Sequence, residues 1–146
     1  MTDRDEPETA TGPLDEPTLR LLGTRAVENR LVVCQTFEPD AITPRRLRLG
    51  LDAEQYPAGV AEATLDVRWF ESGDYSFHYR ECRDAADDCQ CRWDRHPKPS
   101  SPRAHFHPPP TAGAAESSPV AATHPLAVLF AVLDWIADRV GTLHEN

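Results

Sequence analysis

An α+β fold is expected: an antiparallel five-stranded β-meander with N-terminal and C-terminal helices packed on one face. Three observations predict it. Five segments of β-branched, aromatic or alternating apolar residues follow one another through short turns. A helix-like stretch precedes them, and a strongly apolar one closes the run. At 146 residues the chain suits one domain with its own core.

The elements follow in order. Residues 1–13, MTDRDEPETATGP, carry acids and prolines and read as a disordered acidic tail before a single domain over 14–142. DEPTLRLLGTRAVEN (15–29) reads as a helix, with Asp15 as cap, Glu16 and Pro17 in the first turn, and Leu19, Leu22 and Val27 on the apolar face. RLVVCQTFE (30–38) has strand composition, EPDAITP turns the chain, and RRLRLGLD (45–52) alternates with Leu47, Leu49 and Leu51 on one face. After the YPAG turn come ATLDVRWFE (63–71), DYSFHYREC (74–82) and CQCRWDRH (89–96). Residues 97–123 hold seven prolines, so a long Pro-rich loop is expected over 96–123. HPLAVLFAVLDWIADRVG (124–141) has Pro125 in its first turn and Gly141 at its end, with Leu126, Leu129, Phe130, Leu133, Ile136 and Val140 to cover the sheet.

Composition narrows the function. No segment has the apolar run of a signal peptide or a membrane span, so a soluble cytoplasmic protein with no membrane partner is expected. Acids outnumber bases 24 to 15, and Lys98 is the single lysine. That is the composition of proteins that stay soluble in concentrated salt, and a halophilic source is expected. Salt screens a net charge of −9, which therefore says little about a ligand. The distribution says more. Between Cys89 and Pro110 stand Arg92, Arg95, Lys98 and Arg103 against Asp94, a local net of +3 that leaves −12 for the remainder. Four of the six histidines (78, 96, 105 and 107) lie in or near this stretch. Such a patch suits an anionic ligand or an acidic protein segment. Cys34, Cys82, Cys89 and Cys91 offer C-x-C without a second pair at zinc spacing, and they read as buried strand thiols.

Strand parity carries the reading further. A three-residue loop Glu71-Ser72-Gly73, with Gly73 left-handed, sets Trp69 against Tyr75, Val67 against Phe77 and Leu65 against Tyr79. A five-residue loop 84–88 then pairs Arg83 with Cys89 and Tyr79 with Trp93. One face holds Leu65, Val67, Trp69, Tyr75, Phe77, Tyr79, Cys89, Cys91 and Trp93, and it is core. The opposite face holds Asp66, Arg68, Ser76, His78, Arg80, Arg92, Asp94 and His96. In this register His78 lies between Asp66 and Asp94, and Arg80 faces Arg92. Carboxylates beside a histidine favour its charged form and fix its tautomer, as acid–base chemistry needs. Adjacent arginines suit a phosphate.

The candidate catalytic residues are therefore His78, Asp94, His96 and Asp66. Arg68, Arg80 and Arg92 are candidate substrate-binding residues, joined by Arg103, His105 and His107 where RAHFHPPP returns after the proline-rich stretch. The competing reading is a solvated sheet face whose charges pair only with each other. His96, His105 and His107 could also share a metal, but their spacing fixes no ligand set, so no metal residue and no cofactor is assigned.

These residues carry a resemblance. VRWFESGDYSFHYRE, CRWDRHPKP and HFHPPP, in this order, resemble a group of small haloarchaeal proteins over roughly residues 15–140. In the central third, DYSFHY, CRWD, HP and HFH are similar to the TumE family of toxins from toxin–antitoxin pairs, with its YSYHxQ, RWDNAPHH and FPHHKH blocks. Tyr75, Ser76, His78, Arg92, Trp93, Asp94, His96, His105 and His107 match it. Where the family has NAPHH this chain has RHPKP, and its late histidines are reduced to His105-Phe106-His107. The resemblance implies a toxin partnered by an antitoxin, acting on RNA as a metal-independent ribonuclease. His78 or His96 would serve as base and acid, with arginines on the scissile phosphate. A non-catalytic module that holds an acidic or phosphate-bearing partner is the alternative, and a metal-binding protein the third. Oligomeric state is not legible.

Overall fold

The computed structural model describes residues 12–96 and 103–145. Helix α1 spans Glu16–Ala26. The Asp15 carboxylate caps it, accepting from the Thr18 N–H at 3.1 Å and the Thr18 hydroxyl at 2.7 Å. Pro17 lacks only an N–H that a first turn leaves unpaired anyway. Leu19, Leu22, Gly23 and Ala26 form the buried face; Val27, expected on it, lies past the last turn and is exposed.

Seven strands follow in sequence order, each antiparallel to the next: β1 (Val32–Glu38), β2 (Arg46–Leu51), β3 (Val60–Trp69), β4 (Tyr75–Arg83), β5 (Cys89–Arg95), β6 (Ala104–His107) and β7 (Glu116–Ser117). The meander is as expected, but it has seven strands and not five. The extra two lie within the stretch that its prolines assign to a loop. Proline counting misses β6 because RAHFH itself contains none, and Phe106 anchors it, its ring 5.2 Å from Trp93 and 6.0 Å from Trp135. Residues 97–102 of the expected loop and 1–11 of the expected tail lie outside the described residues. The described chain is attached to the fold from Pro13 onward, whose carbonyl accepts from the Glu71 N–H at 2.9 Å.

Every residue assigned to the core face is buried there, continuous with Leu47 and Leu49 of β2. Of the four cysteines only Cys89 and Cys91 are buried; Cys34 on the outer strand is exposed and Cys82 is half-buried. Helix α2 (Pro125–His144) covers this face and carries Trp135 to 5.1 Å from Trp93 and 6.2 Å from Tyr79. Gly141 does not end it: the helix continues to His144, because nothing at Gly141 takes the left-handed conformation that stops a helix. Val128 and Val132 complete its buried face, while Phe130 is part-exposed under the Arg25 guanidinium, 5.6 Å away. Both helices therefore sit on the apolar side, and the polar side stays open.

The hairpin registers divide. Between β3 and β4 the pairs Trp69–Tyr75, Val67–Phe77 and Leu65–Tyr79 form as expected, with Gly73 at φ 92°. Between β4 and β5 the register differs by two residues: Tyr79 opposes Cys91, and Phe77 opposes Trp93. A slip of two keeps every side chain on its face, so apolar parity cannot detect it. The last pair is Glu81–Cys89, and the Arg83 N–H donates to the Asp88 carboxylate at 3.1 Å instead of continuing the ladder to Cys89.

One charge lies inside the apolar layer. Glu81 is fully buried and accepts from Arg139 of α2 at 2.9 and 3.0 Å, from Arg83 at 2.9 Å and from the Tyr79 hydroxyl at 2.6 Å. Burial alone would raise its carboxyl, but Arg139, Tyr79 and Arg83 together hold it below the usual range. The Tyr56 hydroxyl lies 2.6 Å from that of Tyr79.

Candidate functional site

The open face of the sheet presents its polar side chains in rows across the strands. One row runs Arg48, Asp66, His78, Arg92, His107; beside it run Arg68, Ser76, Asp94, His105 on one side and Thr64, Arg80, Gln90 on the other. Asp66 lies beside His78 as expected. The other side of His78 is held by Arg92 and not Asp94, which opposes Ser76, and Arg80 opposes Gln90 and not Arg92. These corrections all follow from the two-residue register difference.

An open cleft of about 920 Å³ lies over these rows. Asp66, Arg68, His78, Arg80, Arg92, Asp94 and His96 line it, with Phe70, Tyr75, Ser76 and Arg95, and the hairpin joining β1 to β2 adds Glu38, Pro39, Arg45 and Arg46. Six arginines face three carboxylates, so the cleft favours an anion. Not every arginine is available to one. Arg48 grips Asp66 with two bonds of 2.8 and 2.9 Å, Arg46 donates to Glu38 at 2.8 Å, and Arg92 donates to Asp94 at 2.7 Å. Burial would raise the Asp66 carboxyl, but the Arg48 fork outweighs it and holds it low. Three of the six, Arg45, Arg68 and Arg80, have no close carboxylate bond among the described residues. Arg80 comes no nearer than 3.8 Å to Asp66, and its buried Nε has no hydrogen-bond partner among the described residues. Arg68 meets no carboxylate there and lies 6.0 Å over the Phe70 ring.

His78 sits between these two arginines. Its Nε2 lies 2.6 Å from the Gln90 Oε1. An amide oxygen only accepts, so Nε2 carries the proton and Nδ1 is the basic nitrogen of the neutral ring. Burial holds its pKa below the usual value, and the neighbouring Arg80 and Arg92 add to this; the Gln90 bond and Asp66 oppose them without reversing the direction. This corrects the expectation of a favoured imidazolium. The ring is a neutral base in a cationic cleft.

The late residues separate. Strand β6 brings His105 and His107 onto the open face, where His105 opposes Asp94 and His107 Nε2 lies 3.3 Å from its carboxylate. The His107 Nδ1 lies 2.9 Å from the Gly113 carbonyl, and neither histidine lines the cleft. His96 does line it, its ring 5.2 Å from that of the buried His105. Arg103 does not reach the cleft. Its fork grips the fully buried Asp74 at 2.8 Å twice, and Arg95 donates to the same carboxylate at 2.8 Å. Among the described residues no three His, Cys, Asp or Glu side chains are grouped to hold a metal.

Sequence reasoning missed Gln90, which sets the His78 tautomer, and the arginines of the β1–β2 hairpin. Both signals were present: Gln90 shares the parity of Arg92, and the leucine alternation of RRLRLGLD puts Arg46 and Arg48 on the polar side.

A family model described as toxin TumE matches residues 20–140, well beyond the central third that carries the recognisable blocks. No curated protein and no solved structure matches the chain.

Proposed function

This chain belongs to the TumE toxin family, and from that premise we propose that its open sheet face binds and cleaves single-stranded RNA, under the control of an antitoxin partner. The observation that carries the reading is a line of three side chains. Arg68, His78 and Arg80 follow one another along the β3–β4 pair, with the two arginines four residue steps apart, about 13 Å at the rise of a strand. Arg68 meets no carboxylate among the described residues, Arg80 comes no nearer than 3.8 Å to Asp66, and His78 lies on the row between them. Such a line suits a phosphate chain running along the strands, with one phosphate beside His78 and the next at Arg68. In this reading the His78 Nδ1 accepts the proton of the attacking hydroxyl and Arg80 stabilises charge on the phosphate. His96, on the same cleft, returns a proton to the leaving oxygen. Asp66 and Asp94, each neutralised by an arginine, position those arginines and do not act as bases. No helix among the described residues is long and apolar enough to cross a membrane. The acid excess with a single lysine supports a salt-rich cytoplasm as the setting.

Induced expression is expected to halt growth, and the purified protein to cut unstructured RNA without added metal. His78→Ala should retain the fold and lose both effects, RNA cleavage by about 100-fold or more. Growth unaffected by high expression of the wild-type chain, with no partner present, would sink the toxin reading. A second reading, a non-catalytic module, draws support from the same neutralised carboxylates, since no carboxylate stands ready beside His78 as a second proton carrier. It predicts growth arrest that survives His78→Ala and is relieved by Arg80→Ala.

A further inference from the structure

The alternation of β3 continues past its last residue. Leu65, Val67 and Trp69 are buried in the core, so Asp66, Arg68 and Phe70 share the opposite parity. An aromatic ring therefore stands among charged side chains. Phe70 lines the cleft, is half-buried, and among the described residues takes no part in the apolar core. Its backbone is braced. The Phe70 N–H donates to the Asp74 carbonyl at 2.9 Å, its carbonyl accepts from the Gly73 N–H at 2.8 Å, and Leu14 pairs with it. The Asp74 carboxylate is itself gripped by Arg95 and Arg103. One planar group already rests over the ring, the Arg68 guanidinium, 6.0 Å from its centroid. Arg68 is exposed and meets no carboxylate among the described residues, so it can leave the ring for a phosphate and free that face for another flat group.

We propose that Phe70 is a nucleobase subsite, on which an unpaired base stacks while Arg68 takes the phosphate of the same nucleotide. The inference rests on the reading of the cleft as a site for single-stranded RNA. It adds what the line of arginines and histidine lacks, a means of recognising a base. Arg68 and Phe70 stand two residues apart on one side of the chain, about 6.8 Å, close enough for one nucleotide to touch both. Inorganic phosphate and acidic side chains gain nothing from the ring, and a duplex keeps its base faces in its own stack. An unpaired base gains an aromatic surface whatever its identity, purines most because they cover more of it. The arginines thus select for charge, and Phe70 selects for an unpaired strand.

The test compares the full-length chain with Phe70→Ala, Phe70→Leu and Phe70→Tyr. Binding is read with two short fluorescent probes of equal length and charge, an oligodeoxyadenylate and an abasic chain with tetrahydrofuran at every position. Cleavage is read with the corresponding RNA oligoadenylate. The unaltered protein should bind the base-bearing probe about 5- to 100-fold more tightly than the abasic one. Phe70→Ala and Phe70→Leu should remove that difference and leave the abasic affinity as it was, while Phe70→Tyr should keep it. On RNA the same two variants should raise KM by a similar factor and change kcat less. Phe70→Leu keeps the apolar bulk without a flat ring, so its result decides if Phe70→Ala does not fold. Equal affinity of the unaltered protein for the two probes overturns the subsite, as does a difference that survives Phe70→Leu. Equal weakening of both probes by Phe70→Leu also overturns it, since the ring then only supports the fold. Base-dependent binding that Phe70→Leu removes, with RNA left uncut, supports the subsite and refutes the ribonuclease reading. RNA cleavage with no dependence on Phe70 supports the ribonuclease and refutes the subsite. Binding of neither probe overturns the subsite, and with RNA uncut as well it overturns both.

Discussion

Glu81 on the covered side of the sheet and Asp66 on the open side are both buried carboxylates gripped by an arginine fork, yet they belong to different kinds of structure. Around Glu81 the donors converge on a single acceptor: Arg139 twice, Arg83 and Tyr79, with Tyr56 behind. Asp66 is forked by Arg48, with Arg80 only reaching 3.8 Å from it, and Arg68 meets no carboxylate among the described residues. The first centre ties α2 to the sheet. The second leaves charge over for something outside the fold. Charged residues on a strand do not by themselves distinguish the two; the surplus does.

Breaking the closed centre should cost most. Glu81→Ala leaves the partly buried Arg139 and Arg83 without their acceptor, and a loss of about 3–5 kcal/mol in unfolding free energy is expected by chemical denaturation. Asp66→Ala removes a carboxylate whose partner Arg48 is one-third exposed and can turn to water, so about 1 kcal/mol is expected. The ratio is the point of the comparison. Equal losses would mean that the open face is a second structural clamp, and its surplus cations would lose their meaning as a binding surface.

The division of faces behind this contrast was legible in the sequence, but the Glu81 centre and the Arg48 fork were not. The face division followed from alternation in TLDVRWF and YSFHYRE, since one register alone set Trp69, Val67 and Leu65 against Tyr75, Phe77 and Tyr79. The same rule was blind to the β4–β5 slip, because moving two residues exchanges Asp94 for Arg92 beside His78 and leaves every face unchanged. Parity sees faces, not rows, and chemistry depends on rows. Arg103 was misplaced for a different reason. Asp74 ends the β3–β4 turn, and nothing local shows that its buried carboxylate would draw an arginine from 29 residues downstream.

The smallest effect concerns protons, and it distinguishes the two centres by pH. Burial, aided by Arg80 and Arg92, holds the folded His78 below its ordinary 6.5, so as pH falls past that value the unfolded chain takes up a proton that the folded chain still refuses. Stability therefore rises with pH in this window and is lost as pH falls through it. Glu81 and Asp66 are also held low, against their burial, by arginine; as carboxylates they contribute stability above the usual carboxylate range and lose it only as pH falls through their folded values. A denaturation series across pH should show an early, shallow loss as pH falls below 6.5 that His78→Gln removes, and a later, steeper one that it does not touch. Arg80→Ala should raise the His78 titration midpoint seen by imidazole proton NMR, since one like charge is gone, while leaving the carboxylate phase in place. If that midpoint stays where it is, Arg80 does not act on the ring and lies outside the site on the open face.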